Sequence, residues 1–124
     1  MSNLPPTPDS TPRPEAAGEL LDQLLGSLLL DFDFWFDRGL LLLQHCPESV
    51  MSSGDQEALA DRLNTARKEL VAARSLRSAA PVSMALDMQA MAPWHRLVLS
   101  VWNLSAELRQ AGVGLPELPP PPQP

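Results

Sequence analysis

The stretch LLLDFDFWFDRGLLLL, residues 28–43, decides the fold. Its apolar side chains recur at alternating steps of three and four, which gathers them on one side of a helix. Carried upstream, the row reads Leu21, Leu25, Leu28, Phe32, Trp35, Gly39 and Leu42, and Leu29, Phe36 and Leu43 widen it along one edge. The spacing predicts a helix from Glu19 to His45. Trp35, in the middle of the row, is expected to be among the most costly side chains to truncate. Gly39 lowers helix propensity by about 1 kcal/mol relative to alanine; a close helix crossing at that point would justify it. A membrane span needs about 20 apolar residues in succession. The best window, Leu24 to Leu43, is interrupted by Asp31, Asp33, Asp37 and Arg38, so no span is expected.

Outward from this helix, proline placement limits the folded region. Of 14 prolines, five stand at positions 5, 6, 8, 12 and 14 and six at 116, 119, 120, 121, 122 and 124, leaving Pro47, Pro81 and Pro93 for the body. Proline lacks an amide proton and its ring clashes with the preceding turn, so each of these three marks an expected helix boundary. Residues 1–18 and 112–124 are expected to be disordered proline-rich tails around a bundle at 19–111, because their side chains cannot offset the entropy of ordering.

A second helix is expected after Ser53, where Ser53 and Gln56 have capping-box spacing. Its stripe is Leu59, Leu63, Ala66, Leu70 and Ala73. Asp55, Glu57 and Asp61 fall early and Arg67, Lys68, Arg74 and Arg77 late, each set complementing the helix dipole at its end. A third helix is expected to start with Pro93 in its first turn and to stop near Gly112. Its stripe is Leu97, Val101, Leu104 and Leu108, flanked by Trp94, Val98 and Trp102. Between them, PVSMALDMQAMA reads as a short helical turn or a Met-rich loop. No segment alternates convincingly with period two, so no strand is expected. Three apolar stripes on short connections predict an all-α fold, a three-helix bundle.

Composition narrows the function classes. A formal net charge of -6 weighs against nucleic acid and against a polybasic hold on anionic membranes. Cys46 is the single cysteine, which excludes an intrachain disulfide and a Cys-rich zinc site. The N-terminal residues lack a basic flank followed by an apolar run, so no secretory signal is expected. His45 beside Cys46 cannot by itself supply an activated thiol with an oriented base, and no nucleophile, base and orienting group assemble elsewhere; an enzyme is not expected. Asp33 and Asp37 lie one turn apart, but too few ligands converge for a calcium site, and a solvated face is the reading. Neither His45 nor His95 follows a glutamate by three residues, which removes a di-iron site.

No cofactor is expected. The alternative reading is a small haem- or pigment-associated protein using His95, with Trp94 and methionines lining the pocket. The C-terminal LPELPPPPQP reads either as a polyproline ligand or as a tail.

The strongest functional signal is apolar excess on the first helix. With its stripe buried, Leu30, Phe34, Leu40 and Leu41 still point elsewhere, and a three-helix bundle has too few neighbours to cover them. Such patches mark partner surfaces. Leu30, Phe34, Leu41, Trp94 and His95 are the candidate interaction residues, for a protein partner or for self-association.

The segments LLLDFDFWFDRGLLLL and AMAPWHRLVLSVWNLSAELR resemble a family of small uncharacterised proteins confined to cyanobacteria. The resemblance covers residues 19 to 110 and rests on the acidic-aromatic run ending Phe34-Trp35-Phe36 and on Ala92-Pro93-Trp94-His95. It implies no activity and no catalytic or cofactor residues. It does imply a cyanobacterial setting, in the cytoplasm or peripherally at the cytoplasmic face of thylakoids.

Overall fold

The computed structural model describes residues 14–79 and 88–116. These form three helices, α1 (Pro14–Gln44), α2 (Ser53–Ala79) and α3 (Met88–Gln110), with no strand among the described residues. α1 is the central element, packed on both of the others, whereas α2 and α3 touch each other only lightly. Asp22 meets Arg77 and Asp37 meets Arg67, so α2 runs antiparallel to α1. Phe32 meets Trp94 and Gly39 faces Val101, so α3 runs parallel to α1.

The core axis of α1 lies slightly to one side of the row read from its spacing. Leu25, Leu29, Phe32, Phe36 and Leu42 are buried, Phe36 completely, while Leu28 and Trp35 sit at the margin and Leu21 is 41% exposed. Two neighbours flank α1, so its buried strip is wide. Leu29 lies on the α2 side, beside Arg74 and Arg77, Phe32 meets Trp94 of α3, and Phe36 is fully buried in the core. Phe36 therefore holds the central place expected of Trp35. On α2 the expected stripe faces inward: Leu59, Leu63, Ala66 and Leu70 are buried and Ala73 packs against them. On α3, Leu97, Val101, Leu104 and Leu108 are buried with Trp94 and Val98.

Gly39 is the point of closest approach. A Cβ built there would lie 2.6 Å from Val101 Cγ2 and 3.0 Å from Leu63 Cδ1, so all three helices converge on this backbone. Glycine is needed for the crossing, which outweighs its low helix propensity.

The helix ends differ from the sequence expectation in four places. α1 begins at Pro14 rather than Glu19. Proline suits a first turn, and the Glu-Ala-Ala that follows favours helix before any apolar periodicity starts. At α2 the cap is Ser52, one residue earlier than expected: its Oγ accepts from the Asp55 amide at 3.2 Å. Gln56 does not close a capping box. Its side-chain amide reaches back to donate to the Met51 carbonyl at 2.8 Å and to the Cys46 carbonyl at 3.1 Å, tying down the α1–α2 connection.

α3 begins at Met88, which places Pro93 inside the helix. The turn before the proline is Met-Gln-Ala-Met-Ala, made of strong helix formers, and Met91 is buried in the core. Those two contributions outweigh the hydrogen bond that proline removes.

At the other end, the Gly112 amide donates to the Arg109 carbonyl and the Val113 amide to the Leu108 carbonyl, with Gly112 at φ +72°. This is a Schellman ending. It turns Val113 and Leu115 back onto the core, so the folded part runs past Gly112, where a tail was expected. The remaining proline-rich ends, residues 1–13 and 117–124, lie outside the described residues.

Candidate functional site

The charges of α1 from Asp22 onward divide into two sets. On the α2 side, Asp22, Asp33 and Asp37 meet Arg77, Arg74 and Arg67 at 2.9, 3.9 and 3.8 Å. Exposed pairs of this kind contribute about 0–1 kcal/mol each. Arg77 is the best seated, since the same Nη2 also donates to the Asp22 carbonyl at 2.9 Å and the guanidinium lies over Gly26. The three arginines are thus engaged by carboxylates. Among the described residues, no three His, Cys, Asp or Glu side chains converge as metal ligands.

The second set faces away from α2. Asp31 and Arg38 have no ion-pair partner among the described residues. The Arg38 guanidinium instead covers the rings of Phe34 and Trp35, 5.3 and 5.6 Å from their centroids. Phe34 meets Trp35 edge to face at 5.1 Å, and Trp35 meets Trp102 of α3 the same way at 5.6 Å. A row of three rings therefore crosses the outer seam between α1 and α3. Trp102 is 48% exposed and Leu99, one turn before it, 52%. His95 continues this α3 face at the next turn, exposed, its ring edge-on to Phe32 at 5.0 Å.

The five candidate interaction residues separate on this geometry. Leu30 is 50% exposed; Phe34 and Leu41 are partly exposed and do not pack against the core. Leu40, the other off-stripe residue, does pack against it. Trp94 is buried among core residues with its ring 5.4 Å from Phe32, so it is a packing residue and offers no surface to a partner. The sequence reading missed Leu99 and Arg38 and treated Trp102 only as a flank. The signal was present: His95, Leu99 and Trp102 fall at steps of four and three, a second apolar row on α3.

Trp94 does border a cavity of about 570 Å³ between α2 and α3, lined also by Asp61, Arg62, Glu69, Leu97 and Ser100. His95 is not among its lining residues, and Met91 is packed inside the core at 2% exposure. Of the groups invoked for a haem or pigment pocket, His95 and Met91 are thus not gathered in this cavity, and the side chains of Met84 and Met88 lie outside the described residues.

Cys46 is half-buried at the start of the α1–α2 connection and donates to the Pro47 carbonyl at 3.6 Å. Burial pushes its thiol above the ordinary cysteine range, and the Glu107 carboxylate adds to the rise against a lowering from a Met51 backbone hydrogen bond. A thiol held in its protonated form is a poor nucleophile at neutral pH.

No helix among the described residues is long and apolar enough to cross a membrane. No curated protein and no solved structure shows significant similarity to the chain. One family model, described as a protein of unknown function, DUF2605, matches residues 15–110, which takes in all three helices and their connections apart from the first residue of α1. The chain belongs to the DUF2605 family of proteins of unknown function.

Proposed function

We propose that this protein is a non-enzymatic interaction or assembly factor that docks a protein partner on the outer face of α1 and on its seam with α3. The observation that carries this reading is the ring row Phe34–Trp35–Trp102, continued by Leu99, on a surface that none of the described residues covers. Contact surfaces are enriched in aromatic residues and arginine at their centres, and Arg38 lies on this row. Leu30 and Leu41 border it on α1, and His95 extends it on α3. The reading places the protein in the cytoplasm of a cyanobacterium, free or peripherally at the thylakoid face.

The reading without catalysis is supported by the chemistry of the titratable groups. Asp22, Asp33 and Asp37 are engaged by arginines, and the thiol is held protonated. The test is a pair of substitutions, Leu99→Asp and Phe34→Asp, in the full chain. A charge in a desolvated contact is costly, so both should abolish capture of partners from cell extract and any self-association. Both positions are off the core, so melting should be unchanged. Retention of binding by both variants would remove the surface from the proposal.

A further inference from the structure

We infer that the occupant of this face is a second copy of the same chain, paired antiparallel about a two-fold axis that passes α1 between Phe34 and Trp35. The inference rests on the interaction reading above and specifies its partner. The argument is self-complementarity. In a two-fold contact each residue meets the partner at the position reflected through the axis, so an isologous patch must match its own reverse. Centred between residues 34 and 35, α1 reflects Asp31 onto Arg38 and Phe34 onto Trp35.

Of the α1 charges from Asp22 onward, Asp31 and Arg38 are the two without an ion-pair partner among the described residues. Asp22, Asp33 and Asp37 are engaged by α2, whereas Asp31 has no ion-pair partner among the described residues. Arg38 is likewise without a carboxylate and lies over the two rings at the proposed axis. Antiparallel pairing sets each Asp31 against the partner's Arg38, twice per dimer, on either side of a centre formed by the aromatic rings. Phe32 lies level with Trp94 and Gly39 with Val101, so the same axis meets α3 near Arg96 and Leu97 and lays α3 against α3 in reverse, with Leu99 within a turn of it. Opposite charges placed symmetrically around an apolar centre fix register as well as attraction.

The experiment is sedimentation equilibrium over a concentration series on the full chain and on Asp31→Arg, Arg38→Asp and the double variant that carries both. Each single substitution sets like charges opposite each other at both ends of the contact and should weaken the dimer by about tenfold or more. The double variant restores opposite charges at both ends, so dimerisation should recover most of the loss. Positions 31 and 38 lie two turns apart on their own helix, beyond the reach of pairing within one chain, so recovery reports contact between chains. Helical circular dichroism and melting of each variant check that the bundle persists.

A wild-type chain that is monomeric throughout overturns the inference. So does a dimer indifferent to the single reversals, or one that the double variant fails to rescue. The broader interaction reading fails separately, when Leu99→Asp and Phe34→Asp both leave capture of partner proteins intact.

Discussion

Substituting Gly39 by alanine sets two opposed effects against each other, and the structure decides which wins. Alanine improves local helix propensity by about 1 kcal/mol. Against that, the new Cβ would stand 2.6 Å from Val101 Cγ2 and 3.0 and 3.4 Å from the two Leu63 methyls. Carbon atoms prefer separations of about 3.5–4.0 Å, so the gap to Val101 must open by roughly 1 Å. Val101 cannot rotate away, because a β-branched residue in a helix has one strongly favoured rotamer. Leu63 is held too, since both residues are 0% exposed.

The helices must therefore part, and overpacking of this kind costs about 1–3 kcal/mol. The net effect is a destabilisation of about 1 kcal/mol, which in a domain this small lowers Tm by about 4–8 °C. Gly26→Ala is the control. Its nearest neighbour is the Arg77 guanidinium at 2.9 Å, the free end of a flexible side chain. Displacing it gives up the Asp22 ion pair, about 0–1 kcal/mol, and the hydrogen bond to the Asp22 carbonyl, about 0.5–1.5 kcal/mol; the same propensity gain offsets most of this, so Tm should fall less than in Gly39→Ala. Thermal unfolding followed by circular dichroism compares the two directly. A third protein, Gly39→Ala with Val101→Ala, should cost less than the two single changes summed. If Gly39→Ala melts at or above wild type, the close crossing is not as tight as these distances state and the reasoning fails.

Phe36→Ala should cost about 3–5 kcal/mol in denaturant unfolding and Trp35→Ala distinctly less, because Phe36 is fully buried and Trp35 only partly; the reverse order would move the core axis back to Trp35. Gln56→Ala removes two side-chain hydrogen bonds to the α1–α2 connection and should lower stability by about 1–2 kcal/mol, whereas an unchanged melt would show the connection to be held without it. A chain ending at Gly112 should melt below one ending at Pro116, since only the longer keeps Val113 and Leu115 on the core; equal melting would show those contacts to be idle. Cys46 should alkylate more slowly than a cysteine in an unfolded peptide at neutral pH. Its raised pKa leaves it protonated where a free thiol is already partly ionised, so the rate should climb only as pH rises further. Faster alkylation than the peptide would contradict that sign.

The fold was legible wherever one periodicity ruled. The stripes of α2 and α3 could be read residue by residue, because each of those helices buries a single narrow face and period 3.6 marks it. α1 was harder for a physical reason: it touches two neighbours, so its apolar row is wide and its centre could be placed on Trp35 or on Phe36. Helix ends were misplaced where a local rule met a tertiary contact. Pro93 looks like a first-turn residue until Met91 is seen to be buried before it. Gly112 looks like the end of the fold until Val113 closes the Schellman turn. At the candidate site, Leu30, Phe34 and Leu41 were legible as apolar excess. Trp94 was legible as core too, since it stands three residues before Leu97 and continues the α3 row; a helix start placed at Pro93 hid this.

The weak ion pairs on α1 have a consequence larger than their energy. Three apolar stripes can be bundled with α2 on either side of α1, and apolar burial is non-directional. Apolar burial, the dominant stabilising term, therefore discriminates poorly between the two arrangements. Asp22 and Asp33 are three turns apart and Asp37 one turn further, so all three line one flank of α1. Arg77, Arg74 and Arg67 line the facing flank of α2 in reverse order, as antiparallel packing requires. In the opposite arrangement, α2 would lie against the flank that carries Leu28 and Trp35. The three arginines would then face a single carboxylate, Asp31, which lies one turn from both Leu28 and Trp35, and the three aspartates would point to solvent. Each lost pair costs about 0–1 kcal/mol, but the losses all fall on the same wrong topology, and selection against an alternative needs only that difference. The same sorting leaves Asp31 and Arg38 on the outer face, so the charges that choose the hand of the bundle also determine which charges remain for a partner.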